Sequence, residues 1–530
     1  MSSSDEKAPA AKVELESASI DDQPNISEEH KQYLIAKHGT YHLSPLPSMS
    51  DDDPLNWPNG MKFLQLGMIA FHGFMTTFLT TGMVPVAGVY AEKFNMPTSR
   101  VAYLISVQIL LVGVFPLLWV PFMERYGKRL LLIFSTVGAM AFSLGSVFCE
   151  DYGSMMAMRV LQAVFISPGI AVGGAIVNET TFSHQRGSRS GIWAISVNLG
   201  TMVGAFLMGF VAQYQDAKYI HVVFTCINFG QTVCYVFLGK ESSYNHEDLS
   251  RNETNRFKQL RFKAIFPENH ITLKKIIYPA KFFSNLRIFI PTFAYSVCFL
   301  QANIALNIEI PEVMVAKFAL GPQALGLQFL SFIIGTAIGE VGGYMSDRLV
   351  AWGKGRGKGP SFRLWLTYPG FIACIVGLIV FGVQIDHADT WNVTPLVGCA
   401  LAAFGLQIMT SPIIAYCIDM DHTEAGAIIL FIIAVRQILA FIGPFYFPHM
   451  YSNLGFTKSY GIMAALIGGL SLIPTLILHY IATGEGKWCE LILVPSNRLI
   501  MLMNLTHPSR LHSYSFYSKP AAQEYCLKSI

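Results

Sequence analysis

The stretch Val120-Pro121-Phe122-Met123-Glu124-Arg125-Tyr126-Gly127-Lys128-Arg129 decides how the chain is read. It is a compact acidic-and-basic turn between two long apolar runs, and a partial copy returns at Gly343-Tyr344-Met345-Ser346-Asp347-Arg348. An acid followed at once by Arg, held between membrane-length segments, suits a short cytoplasmic turn that clamps two helix ends. The acid is expected to meet helix N-termini or Arg side chains, and the basic residues to stay with water and anionic headgroups. Glu124 and Asp347 stand 223 residues apart, so the chain reads as two related halves.

Composition agrees with a membrane setting. The 530 residues are 52% hydrophobic and only 13% charged, with a mean hydropathy of +0.43. A soluble chain carries about 25% charge. Lipid-facing surface accounts for the difference, and the fold class is an all-α polytopic membrane protein. Nine cysteines are scattered, mostly in apolar runs, with no C-x-x-C pair, so neither a disulfide framework nor a metal site is expected. Residues 1–60 are polar and charged, which argues against a cleavable signal and leaves insertion to the first span.

Residues 1–55 are rich in Ser, Asp, Glu and Pro and read as a disordered cytoplasmic tail. Asp53-Pro54-Leu55-Asn56-Trp57-Pro58 is a stiff approach to the bilayer, with Trp57 at interfacial depth and Lys62 placed to snorkel. Apolar runs follow near 62–90, 101–121, 130–149, 156–178, 190–212, 219–239, 288–315, 323–345, 364–385, 394–418, 426–447 and 458–481, here numbered spans 1 to 12. Each crosses about 30 Å of hydrocarbon as a helix, because unpaired backbone groups are too costly in lipid. The organisation is then a six-helix bundle over 56–239, a cytoplasmic linker over 240–287, a second six-helix bundle over 288–481 and a tail over 482–530. The linker's mixed charges suggest a partly helical surface segment lying against anionic lipid. In the tail, Leu491–Val494 and Leu499–Met503 are too short to span and are broken by Pro495. A loosely associated tail or a misassigned final exon is expected there, not a thirteenth helix.

Lys and Arg set the orientation. With the N-terminus inside, the inner connections hold 3, 2, 10, 5 and 0 of them, against five outside: Lys93, Arg100, Lys218, Lys317 and Lys458. Both termini are therefore expected in the cytosol.

Twelve spans in two halves, with this turn between spans 2 and 3, resemble the major facilitator superfamily, whose signature there is G-x-L-A-D-R-x-G-R-K. Arg125 and Gly127 match, Lys128 and Arg129 keep the charge, Glu124 replaces Asp and Val120 replaces Gly. The second copy keeps Gly343, Asp347 and Arg348. The chain is most similar to the fungal drug:proton antiporter branch. It has D-P-L-N-W at Asp53 to Trp57, Arg159 and Gln162 of R-x-x-Q-G, and Glu179-Thr180-Thr181-Phe182-Ser183-His184-Gln185-Arg186-Gly187 where the branch has D-x-F-F-x-H-E-R-G. An acid late in span 10 aligns with Asp419. The span 5 antiporter signature departs, with Ala205 in place of Pro and Met208 in place of Gly. That departure removes the expected kink and close packing and leaves the direction of transport open.

The resemblance implies a cavity between the halves, lined by spans 1, 4, 7 and 10. Ionisable residues at membrane depth are candidates for the substrate and proton pathway, because each is expensive unless paired or wet. Arg159 lies one turn into the outer end of span 4, where the resemblance ties it to proton coupling and the alternative is a structural lock on an outer-end carboxylate. Glu309 and Glu312 share one face of span 7 around Pro311, and suit proton exchange or an organic cation if they do not simply meet water at the exit mouth. His72 sits near the middle of span 1, where a helix-to-helix hydrogen bond is the commoner role. Asp419 and Arg436 lie too far apart in depth to pair. The inner gate is expected to use Glu124, Arg125, Arg129, Glu179, Arg186, Glu340, Asp347 and Arg348, with Glu179 pairing Arg125 or Arg129 and Asp419 near Glu340 and Asp347. The Gly-rich run 353–359 lacks the strand and the GK[ST] ending of a phosphate cradle, so a flexible basic loop is expected and no cofactor.

These features point to a monomeric, multi-pass secondary transporter at the plasma membrane, moving a drug-like or cationic organic compound outward in exchange for protons. Proton-coupled uptake of a nutrient or an organic cation such as a polyamine is the alternative. A non-transporting sensor working through residues 240–287 is a third reading. No Ser/His/Asp, metal or nucleotide constellation supports an enzyme.

Overall fold

The computed structural model describes residues 26–246, 252, 258–354 and 360–482. Twelve helices long and apolar enough to cross a membrane lie among them: Asn59–Phe94, Thr98–Tyr126, Lys128–Val147, Tyr152–Thr180, Ser188–Tyr214, Lys218–Phe237, Leu286–Phe318, Pro322–Gly339, Ser361–His387, Thr394–Met420, Ala425–Leu454 and Phe456–Ile481. They keep the numbers of the expected spans. Phe229, Phe237, Ile338, Ile372, Ile477 and Tyr480 are all more than half exposed, the outward apolar belt that lipid requires and water would penalise. The two bundles touch through spans 5 and 8 and through spans 2 and 11. The turn at 127 and the linker lie on one face, called the basic face below; the opposite one is the far face.

Sequence chemistry explains the helix interruptions. Span 1 ends its regular helix at Thr81 and passes into a 3₁₀ turn over Val84–Val86 around Pro85. Span 7 carries one wide π turn at Leu300–Ile304 and a proline at 311. Such turns commonly mark functional positions. Asp151 caps span 4, accepting from the Ser154 amide at 2.7 Å, and that bond holds its carboxyl below the usual carboxylate value.

Four expectations need correction. Residues 26–55 are not disordered, although 1–25 and the tail from 483 lie outside the described residues. Ser27 caps a helix over Glu28–His38, and Leu34, Leu43 and Leu55 close on Phe182 as a small apolar nucleus. Trp57 and Lys62 are buried instead of interfacial. The Lys62 ammonium donates to the Leu55 carbonyl at 2.7 Å and sits over the Phe182 ring, so folding of 26–55 removes it from water. Span 5 packs closely without its proline: a Cβ at Gly204 would stand 2.6 Å from the Phe78 carbonyl oxygen of span 1.

The linker, finally, is docked on protein. The Ile265 and Phe266 amides donate to the Arg125 carbonyl at 2.9 and 3.1 Å. Further on, the Tyr278 hydroxyl (2.5 Å) and the Lys281 ammonium (2.9 Å) both reach Glu424, between spans 10 and 11. The linker thus ties both bundles at the basic face. The Tyr278 hydrogen bond, with Lys281 behind it, holds the Glu424 carboxyl below its ordinary value of 4.5. A depressed carboxyl contributes binding that is present above the ordinary value and lost as pH falls through the depressed one. Proteolysis of the linker is therefore expected to accelerate on acidification into that range, and Glu424→Gln to be cleaved at the fast rate at neutral pH already. A pH-independent cleavage rate in both proteins would remove the tether.

Candidate functional site

The charged turn forms the first part of the site. Gly127 adopts φ +89°, and a Cβ there would lie 2.7 Å from both the Glu241 carboxylate and Ile265. Glycine is needed on both counts. Glu241, from the linker, accepts the Lys128 and Arg129 amides at 2.9 Å each, capping the N-terminus of span 3 with negative charge. That role was expected of Glu124, whose side chain is exposed while its carbonyl accepts from Asn269. Lys128 and Arg129 are buried, not solvated. Arg129 compensates by donating to the Tyr235 and Val236 carbonyls at 3.3 and 2.8 Å, terminal acceptors of span 6, and to Gln259 at 3.0 Å. Glu179 pairs with Lys128, not with Arg125 or Arg129. Arg125 instead turns to the linker, reaching the Asn269 carbonyl at 3.4 Å.

The second half repeats the arrangement with different residues. Asp419 accepts from Arg363 at 2.8 Å, and Arg363 also reaches Ser346 at 3.1 Å, joining the basic-face ends of spans 8, 9 and 10. Arg348 is exposed. The side chains of Arg186, Asp347, Glu309 and Glu312 lie outside the described residues; the backbone of the two glutamates belongs to the helix Ala305–Phe318.

Deeper, Arg159 is wholly enclosed. It donates to the Leu79 and Thr80 carbonyls at 3.0 and 3.2 Å and to Gln162 at 2.9 Å. The carboxylate considered as its partner is replaced by the carbonyl end of span 1, freed by the break after Thr81. Gln162 also accepts from Gln108 at 2.8 Å and donates to Ser143 at 2.5 Å. One polar knot therefore joins spans 1, 2, 3 and 4. His72 lies 3.3 Å from the Tyr235 hydroxyl, linking spans 1 and 6.

Span 7 presents Gln301, Asn303 and Asn307, all buried. Asn307 donates to Asn303 at 2.8 Å, and Gln301 reaches the Tyr446 hydroxyl at 3.4 Å. Arg436, without a named partner in the sequence, donates to the Tyr295 hydroxyl at 2.9 Å and lies over the Phe299 ring. Spans 7 and 11 thus share a face of carboxamides, one guanidinium and aromatic rings.

One hydrogen-bonded chain crosses from bundle to bundle. Asn198 of span 5 donates to the Gln407 carbonyl at 2.9 Å, and the Gln407 amide donates to Glu340 at 2.5 Å. Gln407 is the middle residue of Thr394–Met420, so Glu340 is not beside Asp419, which is twelve residues away, about 18 Å along the helix. The expected grouping of Glu340 with Asp419 fails because the adjacent Gly339 sits against Gln407 and sets the register of span 8 on span 10. Sequence reading missed Asn198, Gln407, Lys128, Glu241, Tyr295 and Arg363. It also missed His221, enclosed between the Tyr90 and Phe224 rings. An ionisable residue inside an apolar run, near the far-face end of span 6, was the available signal for His221 alone.

A family profile described as Major Facilitator Superfamily matches residues 69–444. The chain is 23% identical over 470 residues to the "Efflux pump vrtL" of Penicillium aethiopicum, covering 84% of this chain and 93% of that one. It is 24% identical over 445 residues to the "Efflux pump radE" of Floropilus chiversii, covering 81% and 82%. Among solved structures, the human organic anion transporter MFSD10 (TETRAN) superposes with a TM-score of 0.54 at 12% identity, over 79% of this chain and 99% of that one. This last likeness concerns the fold alone.

Proposed function

Because the chain belongs to the major facilitator superfamily, and is a multi-pass membrane transporter and not an enzyme, we propose that it exports a small organic compound by alternating access, driven by inward proton flow. Rocking of the two bundles would expose the space between them first to the basic face, set in the cytosol by the Lys and Arg bias, and then to the far face. The plasma membrane is the membrane in which such export is useful. The single observation that carries the reading is the polar seam between the two bundles, Asn198, Gln407 and Glu340, of which Gln407 is buried and the other two half-buried; Gln301, Asn303, Asn307 and Arg436 are buried on spans 7 and 11. Ionisable and polar groups at membrane depth are expensive unless paired, and commonly mark substrate or proton pathways. Export in particular is supported by the relatives named as efflux pumps.

The direct test is accumulation of rhodamine 6G and of radiolabelled spermidine in a host lacking its own carriers, before and after a protonophore collapses the pH gradient. Export predicts low accumulation of at least one probe that rises several-fold on collapse. Accumulation that is high and abolished by collapse would replace export with symport.

A further inference from the structure

We infer that Glu340 is a proton-binding carboxylate on the seam between the bundles, and that Gln407 and Asn198 carry its protonation state from the C-terminal to the N-terminal bundle. The inference deepens the proton-driven reading above and rests on it.

Geometry comes first. Glu340 projects toward span 5, where a Cβ on Gly191 would lie 3.9 Å from its carboxylate. Its depth is between Gly191 and Asn198, on the basic-face side of the middle of the bilayer. Among the described residues its one hydrogen-bond partner is the Gln407 amide, a neutral group. Among the described residues, charged groups on the surrounding elements are engaged elsewhere or exposed. On span 10, Asp419 is held by Arg363 of the span 9 approach. On span 5, Arg189 lies over the Phe63 ring of span 1. On its own helix Arg348 is exposed, and the Asp347 and Arg186 side chains lie outside the described residues. An ionised carboxylate at this depth with no cation on it among the described residues is costly, so uptake of a proton relieves it. Partial exposure of Glu340 gives that proton a route to water.

The neighbours make the proton's presence legible at a distance. An ionised Glu340 only accepts, so Gln407 must point its NH₂ at it and its carbonyl at Asn198, the arrangement observed. A protonated Glu340 donates. Gln407 then turns its carbonyl to Glu340 and its NH₂ to span 5, where Asn198 must turn its own carbonyl to accept. One proton taken from water reverses the sense of both hydrogen bonds and is returned to water unchanged. Carboxamides do not titrate, so Glu340 alone sets the polarity of the bridge. If Asn198 does not turn with the others, the bridge breaks and the bundles lose a tie across the seam.

The test needs no substrate. Full-length protein in nanodiscs is titrated from about pH 8 to about pH 5, and the C=O stretch of a protonated carboxylic acid is followed by infrared difference spectroscopy. The inference expects a band that Glu340→Gln abolishes, and whose midpoint moves by about one pH unit or more in Gln407→Leu. Should Glu340→Gln fail to fold, Glu340→Asp keeps an acid with shorter reach and must move the same midpoint. A band unchanged in the Glu340 variants overturns the proton site, and an unmoved midpoint in Gln407→Leu overturns the relay. Gradient-independent transport beside a titrating Glu340 would instead sink proton drive and leave the site standing.

Discussion

Arg159→Ala is expected to abolish transport and to lower the melting temperature of the purified protein by several degrees. The guanidinium is fully enclosed and satisfies two main-chain carbonyls and the Gln162 side chain. Alanine removes the cation together with those bonds. The Leu79 and Thr80 carbonyls would lose a donor in a place water does not reach, and Gln162 would keep Gln108 and Ser143. Leaving a buried acceptor without its donor costs about 1–3 kcal/mol, and the hole left by the side chain adds to that. Arg159→Lys should fall between, because one ammonium cannot match the spread of the guanidinium across span 1 and Gln162. Differential scanning fluorimetry of the three proteins decides the matter. A variant that melts with the wild type yet fails to transport would move Arg159 from a structural tie to the transport path itself.

The same residue shows how far sequence reading reaches. That Arg159 mattered was legible, since a lone cation at membrane depth is a strong signal. Its partners were not, because a main-chain carbonyl has no letter, and the break after Thr81 that offers Leu79 and Thr80 comes from how Pro85 is accommodated. All twelve spans were legible from length and apolarity, the properties lipid selects. Residues 26–55 were misjudged because three leucines scattered through a polar stretch carry no periodicity; they become a nucleus only when Phe182 arrives from the end of span 4. In the turn, the bias toward Arg as carboxylate partner hid Lys128, and the cap came from Glu241, more than a hundred residues downstream. Asn198 and Gln407 are 209 residues apart and uncharged, so neither hydropathy nor charge singled them out.

Gly326→Val is expected to cut export at least about tenfold by holding the far face apart. Gly326 on span 8 meets span 5 backbone to backbone: a Cβ there would lie 2.8 Å from the Phe206 carbonyl oxygen and 3.2 Å from the Gly209 Cα. From the other side, a Cβ on Gly209 would meet the Pro322 carbonyl at 2.7 Å. No flexible side-chain end stands in the way to retreat, so a branched residue must separate the helices. Each 1.4 kcal/mol of clash shifts a two-state balance by about tenfold, and overpacking of this kind costs about 1–3 kcal/mol. Gly326→Ala should show the same change at a smaller size. A few residues away, the Tyr214 hydroxyl donates to Gln323 at 3.2 Å across the same seam, which supplies a reporter. With Tyr214→Cys and Gln323→Cys installed, oxidative cross-linking should be fast on the Gly326 background and slowed at least about tenfold by Gly326→Val. Unchanged cross-linking would mean that spans 5 and 8 do not part at this point, and the pivot of alternating access would have to be sought along spans 2 and 11, where Tyr103 stacks on Phe445 at 4.7 Å.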